Sequence, residues 1–228
     1  MRGRPSFMRP RAPPERANPG AGEVFGGRAM IRPPPSDVPA AMTEPARRRV
    51  LVLLASARAD GNAELMARAA VAALPAGTEL RWLRLAALTL PPFEDIRHSV
   101  GQYRAPTGDL ARALDDTLWA TDLVVAAPLY WYSLPAPLKL YLDHWSAFLR
   151  VPGLDFKARM AGKAMAVLCA TSSGDEPHLA QPLVDALRFT ADYLHMRWVG
   201  SVLGNGSKPG DVLKDEAAMA AAAKLLVG

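Results

Sequence analysis

From Val50 onward the chain alternates short, almost wholly apolar runs with stretches whose apolar positions recur at helical spacing. The runs VLVLLA (50–55), TELRWLRL (78–85), DLVVAA (122–127), KAMAVLCA (163–170) and RWVGSVLG (197–204) predict five strands. Residues 62–74, 107–120, about 135–149, 177–194 and 211–227 predict five helices. In the first helix the spacing puts Leu65, Ala69, Ala72 and Ala73 on one face, closed by Pro75 and Gly77. In the second strand Leu80, Trp82 or its neighbours, and Leu85 are expected to face inward. Strands that are apolar on both faces and alternate with helices belong to a parallel sheet covered on both sides. The fold class is therefore a doubly wound α/β sandwich with a five-stranded parallel sheet. Ligands of such sheets sit beyond the carboxyl ends of the strands at a topological switch point, so chemistry is expected in the loops after strands 1, 3 and 4.

The most apolar stretch does not read as a membrane span. Leu123 to Leu138 runs sixteen residues without a formal charge, short of the roughly 18 or more that spanning needs. Pro128, Pro135 and Pro137 would also break a helix there. The single cysteine, Cys169, excludes an intramolecular disulfide and a multi-cysteine metal site, and inside strand 4 it reads as a small buried hydrophobe. Four scattered His give no zinc signature.

The net charge of +5 changes meaning once it is divided along the chain. Residues 1–49 hold ten Arg against four acidic residues, a net of +6, which leaves −1 for the remainder. Residues 1–48, rich in Pro, Gly and Ala and without periodicity, are expected to form a disordered basic arm. Met30 and Met42 are alternative starts that would make the arm an upstream extension. Only Phe7 and Phe25 there could stack on bases, which weighs against a nucleic-acid partner. A start at Met42 would give a segment like a signal peptide, but its apolar core, Val50 to Ala55, is six residues, below the usual roughly 7–15. Cleavage would also remove strand 1. The expectation is a cytoplasmic protein with one domain over 49–228.

After strand 1 the chain reads ASARADGNAELMA. This is not a Walker A loop, because Gly-Lys-Ser/Thr is missing, nor GxGxxG, because Gly61 stands alone. Ser56, Arg58, Asn62 and the open amides of a helix start suit a terminal phosphate. The same residues also read as a plain βα turn with Asn62 as N-cap. After strand 3, PLYWYSLPAPLKLYLDHW places Pro135 and Pro137 in the first turn of a helix capped by Ser133 or Leu134. Residues 128–133 are then a loop whose Tyr130, Trp131 and Tyr132 suit a flat ligand or a subunit contact. The helix carries Leu138, Tyr141, Leu142, Trp145, Phe148 and Leu149, a stripe wider than one sheet contact needs, and the surplus points to a dimer surface. Lys139 and Asp143 are four apart in the less favourable order for the helix dipole, so helix stability does not account for Lys139. After strand 4, Thr171, Ser172, Ser173 and Gly174 form a small turn whose amides can meet the polar edge of a ring; a plain turn before a helix would look much the same.

Taken together, the three loops resemble the flavodoxin-like family of NAD(P)H-dependent FMN reductases and quinone reductases, over about Arg49 to Gly228. The resemblance rests on Pro128-x-Tyr130, Ser133-x-Pro135-x-x-Leu138-Lys139-x-x-x-Asp143, on LPPFEDI (90–96), and on Ser-x-Arg with Asn at 56, 58 and 62. Ala55 departs from the Gly usual before that Ser, and Ala63 from a hydroxyl residue often found there. The resemblance implies a sheet of order 2-1-3-4-5 and FMN held by its phosphate at Ser56, Arg58, Asn62 and Ala63. The ring would lie between Pro128, Leu129, Tyr130, Trp131, Tyr132 and Ser133 on one side and Thr171, Ser172, Ser173 and Gly174 on the other. It further implies a hydride from NAD(P)H and two electrons passed to a quinone, flavin, azo or nitro compound, with no catalytic side chain of the protein's own. A homodimer or homotetramer is implied. The alternative is a non-catalytic flavin-binding electron carrier, against which stands the near-neutral charge of residues 50–228. A regulatory or nucleic-acid-binding protein working through the basic arm is the third class.

Overall fold

The computed structural model describes residues 47–227. The expected basic arm, as far as residue 46, and both alternative start methionines lie outside the described residues.

The five strands are β1 (Arg49–Leu54), β2 (Glu79–Arg84), β3 (Asp122–Pro128), β4 (Ala164–Thr171) and β5 (Arg197–Asn205). They form one sheet in the order β2-β1-β3-β4-β5, with every pairing parallel. The helices are α1 (Asn62–Ala72), α2 (Gly108–Trp119), α3 (Ala136–Phe148), α4 (Phe156–Met160), α5 (Gln181–Tyr193) and α6 (Glu216–Leu225). The short α4 is additional to the five expected helices. The segments before α5 and α6 begin as 3₁₀ turns, at Pro177–Ala180 and Asp211–Lys214.

The apolar runs are explained by two covers on one sheet. Val50, Val52, Leu54, Val124, Ala126, Ala166 and Leu168 point to the side of α1 and α6. Leu51, Leu53, Leu123, Val125, Met165, Val167 and Cys169 point to the side of α2, α3, α4 and α5. With alternate residues buried on opposite faces, β1, β3 and β4 keep no solvent-facing side, and only the end residues Arg49 and Pro128 are part-exposed.

Two expectations about facing are corrected. The buried face of α1 is Ala63, Met66, Ala67 and Ala70, not Leu65, Ala69, Ala72 and Ala73. Alanines at most positions give this helix little phase, and the large Met66 sets it. In β2, Leu83 is buried while Leu80 and Trp82 are 41% and 39% exposed. As an edge strand β2 is covered mainly on one face; Leu85 is buried, but in the 3₁₀ turn after the strand. The outward Trp82 stacks under Arg68, and Arg81 lies 4.0 Å from the Trp119 ring centre while pairing with Asp116 at 2.7 Å.

Polar groups tie the layers together. The Tyr141 hydroxyl on α3 donates to Ala113 O of α2 at 2.8 Å and lies 2.6 Å from Thr117 Oγ1. Complete burial raises its phenol pKa. At the amino end of the sheet, Arg48 pairs with Asp122 at 2.7 Å and donates to Leu226 O, the C-cap of α6. Lys163 donates to the carbonyls of Leu118 and Ala120 at the C-terminus of α2, where a cation is favoured.

Candidate functional site

The carboxyl edge of the sheet gathers the loops after β1, β3, β4 and β5. The first is a tight, braced turn. Ser56 Oγ accepts from Arg58 N at 3.0 Å, which leaves the hydroxyl proton available. Glu64, buried in the first turn of α1, accepts from Asp60 N, from Arg68 and from Arg84. Burial opposes its ionisation, but the hydrogen bonds from Arg84 and Arg68 outweigh that and lower its pKa. Arg84 also donates to Arg58 O at 3.0 Å, so the backbone of Arg58 is held from below. The Arg58 guanidinium itself is exposed and has no ion-pair or hydrogen-bond partner among the described residues.

Gly61, not Asn62, is the N-cap of α1, and the first helical hydrogen bond runs from Leu65 N to Gly61 O. The amides of Asn62, Ala63 and Glu64 therefore precede the helix's own ladder and open toward the loop. The Asn62 side chain is committed elsewhere. Its amide nitrogen donates to Gly206 O and Lys208 O at 2.9 and 3.0 Å. Its oxygen accepts from Gly210 N at 2.9 Å and, more weakly, from Val212 N at 3.5 Å. With both donors and both acceptor positions used, this side chain has nothing left for a ligand; only its backbone amide does.

The loop after β3 is joined to the sheet by Leu129 N donating to Ala170 O at 2.8 Å. It then reverses over Tyr130–Ser133, where Ser133 N donates to Tyr130 O at 3.1 Å. Trp131 and Tyr132 adopt φ of 49° and 60°. Bulky residues in that region cost about 1–3 kcal/mol each. Pro135 is the N-cap of α3, one residue beyond the expected cap at Ser133 or Leu134, and Pro137 lies within the first turn. Lys139 pairs with Asp143 at 2.6 Å on the exposed side of the helix.

In the loop after β4, Thr171 is buried and its Oγ1 accepts from Ser173 N at 3.0 Å. The Gly174 backbone lies against the Asn205 side chain, and a Cβ there would fall 2.6 Å from it. Gly206 is equally constrained, since its Cβ would lie 2.7 Å from Asn62 Nδ2.

These loops enclose two adjoining cavities. The smaller, about 290 Å³, brings together Ser56, Arg58, Asn62 and Ala63 with Pro128, Leu129, Tyr130 and Ser172, and adds Gly61, Ala170, Gly206 and Ser207. The larger, about 630 Å³, lies between the loops after β4 and β5 and shares Gly206 and Ser207 with the first. Thr171 and Gly174 line this second cavity. Trp131, Tyr132, Ser133 and Ser173 belong to neither wall. The β5–α6 loop is absent from the site expected from sequence. Its signal was NGSKPGD (205–211), a turn-rich segment at the same sheet edge.

The smaller cavity fits an organic phosphate: the Ser56 hydroxyl, the unpaired Arg58 side chain and the residues of the open amides at Asn62 and Ala63 line its end at the loop after β1. The lysine of the larger cavity is already engaged, with Lys214 on Asp211 at 3.0 Å. Cys169 lies buried below the loop after β4, and burial pushes its thiol up to about 12, so it offers no thiolate. No group of three or more His, Cys, Asp or Glu suited to a metal ion occurs among the described residues. Among those residues, no helix is long and apolar enough to cross a membrane.

Residues 48–227 match the family model described as Flavodoxin-like fold. A Bacillus subtilis (strain 168) protein, YwqN, whose provisional name is NAD(P)H-dependent FMN-containing oxidoreductase, is 33% identical over 180 residues, 78% of this chain and 96% of its own. The structure of Trp repressor binding protein from Bacillus subtilis superimposes with a TM-score of 0.61 at 28% identity, covering 78% of this chain and 97% of that one. An NAD(P)H:quinone oxidoreductase from Methanothermobacter marburgensis shares the fold, with a TM-score of 0.59 at 18% identity over 79% and 96% of the two chains. The chain belongs, over residues 48–227, to the flavodoxin-like-fold family.

Proposed function

We propose that this chain binds FMN and passes electrons from NAD(P)H to a quinone or another small aromatic acceptor. The observation that carries the reading is the unpaired Arg58 guanidinium, beside the Ser56 hydroxyl and the open amides of Asn62, Ala63 and Glu64. It is supported by the name of the 33% identical relative. Bound FMN would supply the redox chemistry, accepting a hydride from NAD(P)H and returning two electrons to the acceptor.

The chain's own part is binding and orientation. Ser56 donates a hydrogen bond to the phosphate, Arg58 neutralises it, and the α1 amides complete its shell. Pro128, Leu129 and Tyr130 form one wall for the ring and Ser172 another. Gly206 and Ser207 close the cavity, and the Asn62 side chain holds them in place. Arg58 and Tyr130 are the titratable side chains of this lining, and no acid–base pair is present in it. The residues thus fit a cofactor that carries the reaction.

The groove on α3 and α5, lined by Leu142, Trp145, Leu149, Phe189 and Tyr193, supports assembly as a homodimer or homotetramer. Light scattering of the purified protein reads that assembly. The functional test is anaerobic. The FMN-loaded protein should lose its flavin colour on addition of NADH or NADPH and regain it with a quinone. A protein that takes up FMN but is not bleached would instead be an electron carrier.

A further inference from the structure

The connection from β2 to α2 encloses a cavity of its own. Residues 88–107 carry no helix or strand, and connections longer than roughly 12–15 residues without such structure are usually functional or disordered. This one is braced at three points. His144 on α3 donates from Nε2 to Pro91 O at 2.9 Å. The Tyr103 hydroxyl accepts from Ile96 N at 3.0 Å and donates to Glu94 O at 3.1 Å. Tyr103 N donates to Arg150 O at 3.3 Å, just beyond the end of α3. The Phe93 ring lies against both side chains, its centre 5.7 Å from that of His144 and 6.4 Å from that of Tyr103. Between the connection, α2 and α3 is a cavity of about 280 Å³. It shares no residue with the two cavities at the carboxyl edge of the sheet. His144 lies about 13 Å along α3 from the N-cap Pro135, where the loop after β3 enters the helix.

The wall combines apolar faces with two opposite charges. Phe93, Leu110 and Phe148 supply the faces, and the last two are buried. Glu94 and Arg104, both exposed, pair neither with each other nor with another side chain among the described residues. The bracing uses the backbone of Glu94 and leaves its carboxylate unused. His144 is 5% exposed and donates through Nε2 to a carbonyl. In the neutral ring Nδ1 is therefore an acceptor, and it has no partner among the described residues. An anion alone would meet Glu94, and a cation alone would meet Arg104. We infer that the cavity binds a free α-amino acid with a large apolar side chain. Its carboxylate pairs with Arg104, and its ammonium donates to Glu94 and to His144 Nδ1. Its side chain packs among Phe93, Leu110 and Phe148. A peptide would hold its two terminal charges too far apart. The volume, just below the roughly 300–1,000 Å³ of ligand sites, also limits the occupant to a small molecule. This site goes beyond the oxidoreductase reading and does not depend on it; no bond is made or broken there.

The test is a calorimetric titration of the full chain with phenylalanine, without and with saturating FMN. Binding should saturate with a Kd below about 1 mM, equal in the two conditions. N-acetylphenylalanine lacks the ammonium, phenylalaninamide lacks the carboxylate, and serine lacks the apolar side chain. Each should bind about tenfold or more weakly than phenylalanine. Glu94→Gln and Arg104→Gln change exposed side chains and should keep the wild-type thermal midpoint. Each should weaken phenylalanine about tenfold or more. Glu94→Gln should leave N-acetylphenylalanine unaffected, and Arg104→Gln should leave phenylalaninamide unaffected, because each variant removes the partner of a charge already missing. A loss of overall shape would not produce that pairing of variant with ligand. Failure of phenylalanine to saturate, or equal binding of the two blocked derivatives and phenylalanine, would overturn the site. Unchanged phenylalanine affinity in both variants would do the same. So would an affinity that falls when FMN is bound, since that places phenylalanine in the cofactor cavity.

Discussion

The side-chain amide of Asn62 donates to the carbonyl of Gly206 at 2.9 Å, joining the first turn of α1 to a loop 144 residues further along the chain. Three further hydrogen bonds to residues 208–212 complete the clamp. The side chain of this residue, a candidate phosphate ligand from sequence, positions the Gly206 wall of the smaller cavity.

Replacing Asn62 separates these roles. Asn62→Ala should destabilise the protein by about 2–3 kcal/mol, because it leaves loop carbonyls and amides without partners. Asn62→Asp should weaken FMN binding further than Asn62→Ala, since it sets a carboxylate beside two carbonyls and the phosphate. Chemical denaturation and an FMN titration of each variant check both statements. Equal FMN affinities in the two variants would contradict the placement of the phosphate.

Glu64 makes the stability of this end of the fold depend on pH. Its folded pKa is lowered from the ordinary 4.5: burial raises it, but the bonds from Arg84 and Arg68 prevail. A lowered carboxyl pKa contributes stability that is fully present above the unfolded value and disappears as pH falls through the folded one. The difference in thermal midpoint between wild type and Glu64→Gln should therefore be constant above about pH 5.5 and shrink below 4.5. A difference that grows as the pH falls would reverse the assignment.

Tyr141 tests the packing of α3 on α2. Tyr141→Phe removes the hydroxyl that reaches Ala113 O and Thr117. Thr117 still donates to Ala113 O at 2.8 Å, so the cost should be only about 1–2 kcal/mol. FMN affinity should not change. A loss of FMN affinity would place Tyr141 in the site rather than beneath it.

Much of the fold was legible because β1, β3 and β4 have no solvent-facing side, and their apolar runs say so directly. Facing was legible only where one residue type marks a phase. The alanines of α1 mark none, and β2, covered mainly on one face, accepts either reading of Leu80-Arg81-Trp82-Leu83. The loops after β1, β3 and β4 could be found from the rule that ligands sit at the carboxyl ends of strands. The β5 loop obeys the same rule, but its place in the site depends on the distant side chain of Asn62. The positive φ at Trp131 and Tyr132 could not be read at all, since neither position carries the Gly or Asn that announces such a turn.

The central claim is that the loop after β1 holds FMN by its phosphate, and one comparison tests it directly. FMN and riboflavin, which lacks the phosphate, are titrated into the wild-type protein and into Arg58→Ala. Wild type should bind FMN at least about a hundredfold more tightly than riboflavin, a difference of about 2.7 kcal/mol. Arg58→Ala should lose about tenfold or more of that preference with its thermal midpoint unchanged. Equal affinity of the wild-type protein for FMN and riboflavin would contradict the account.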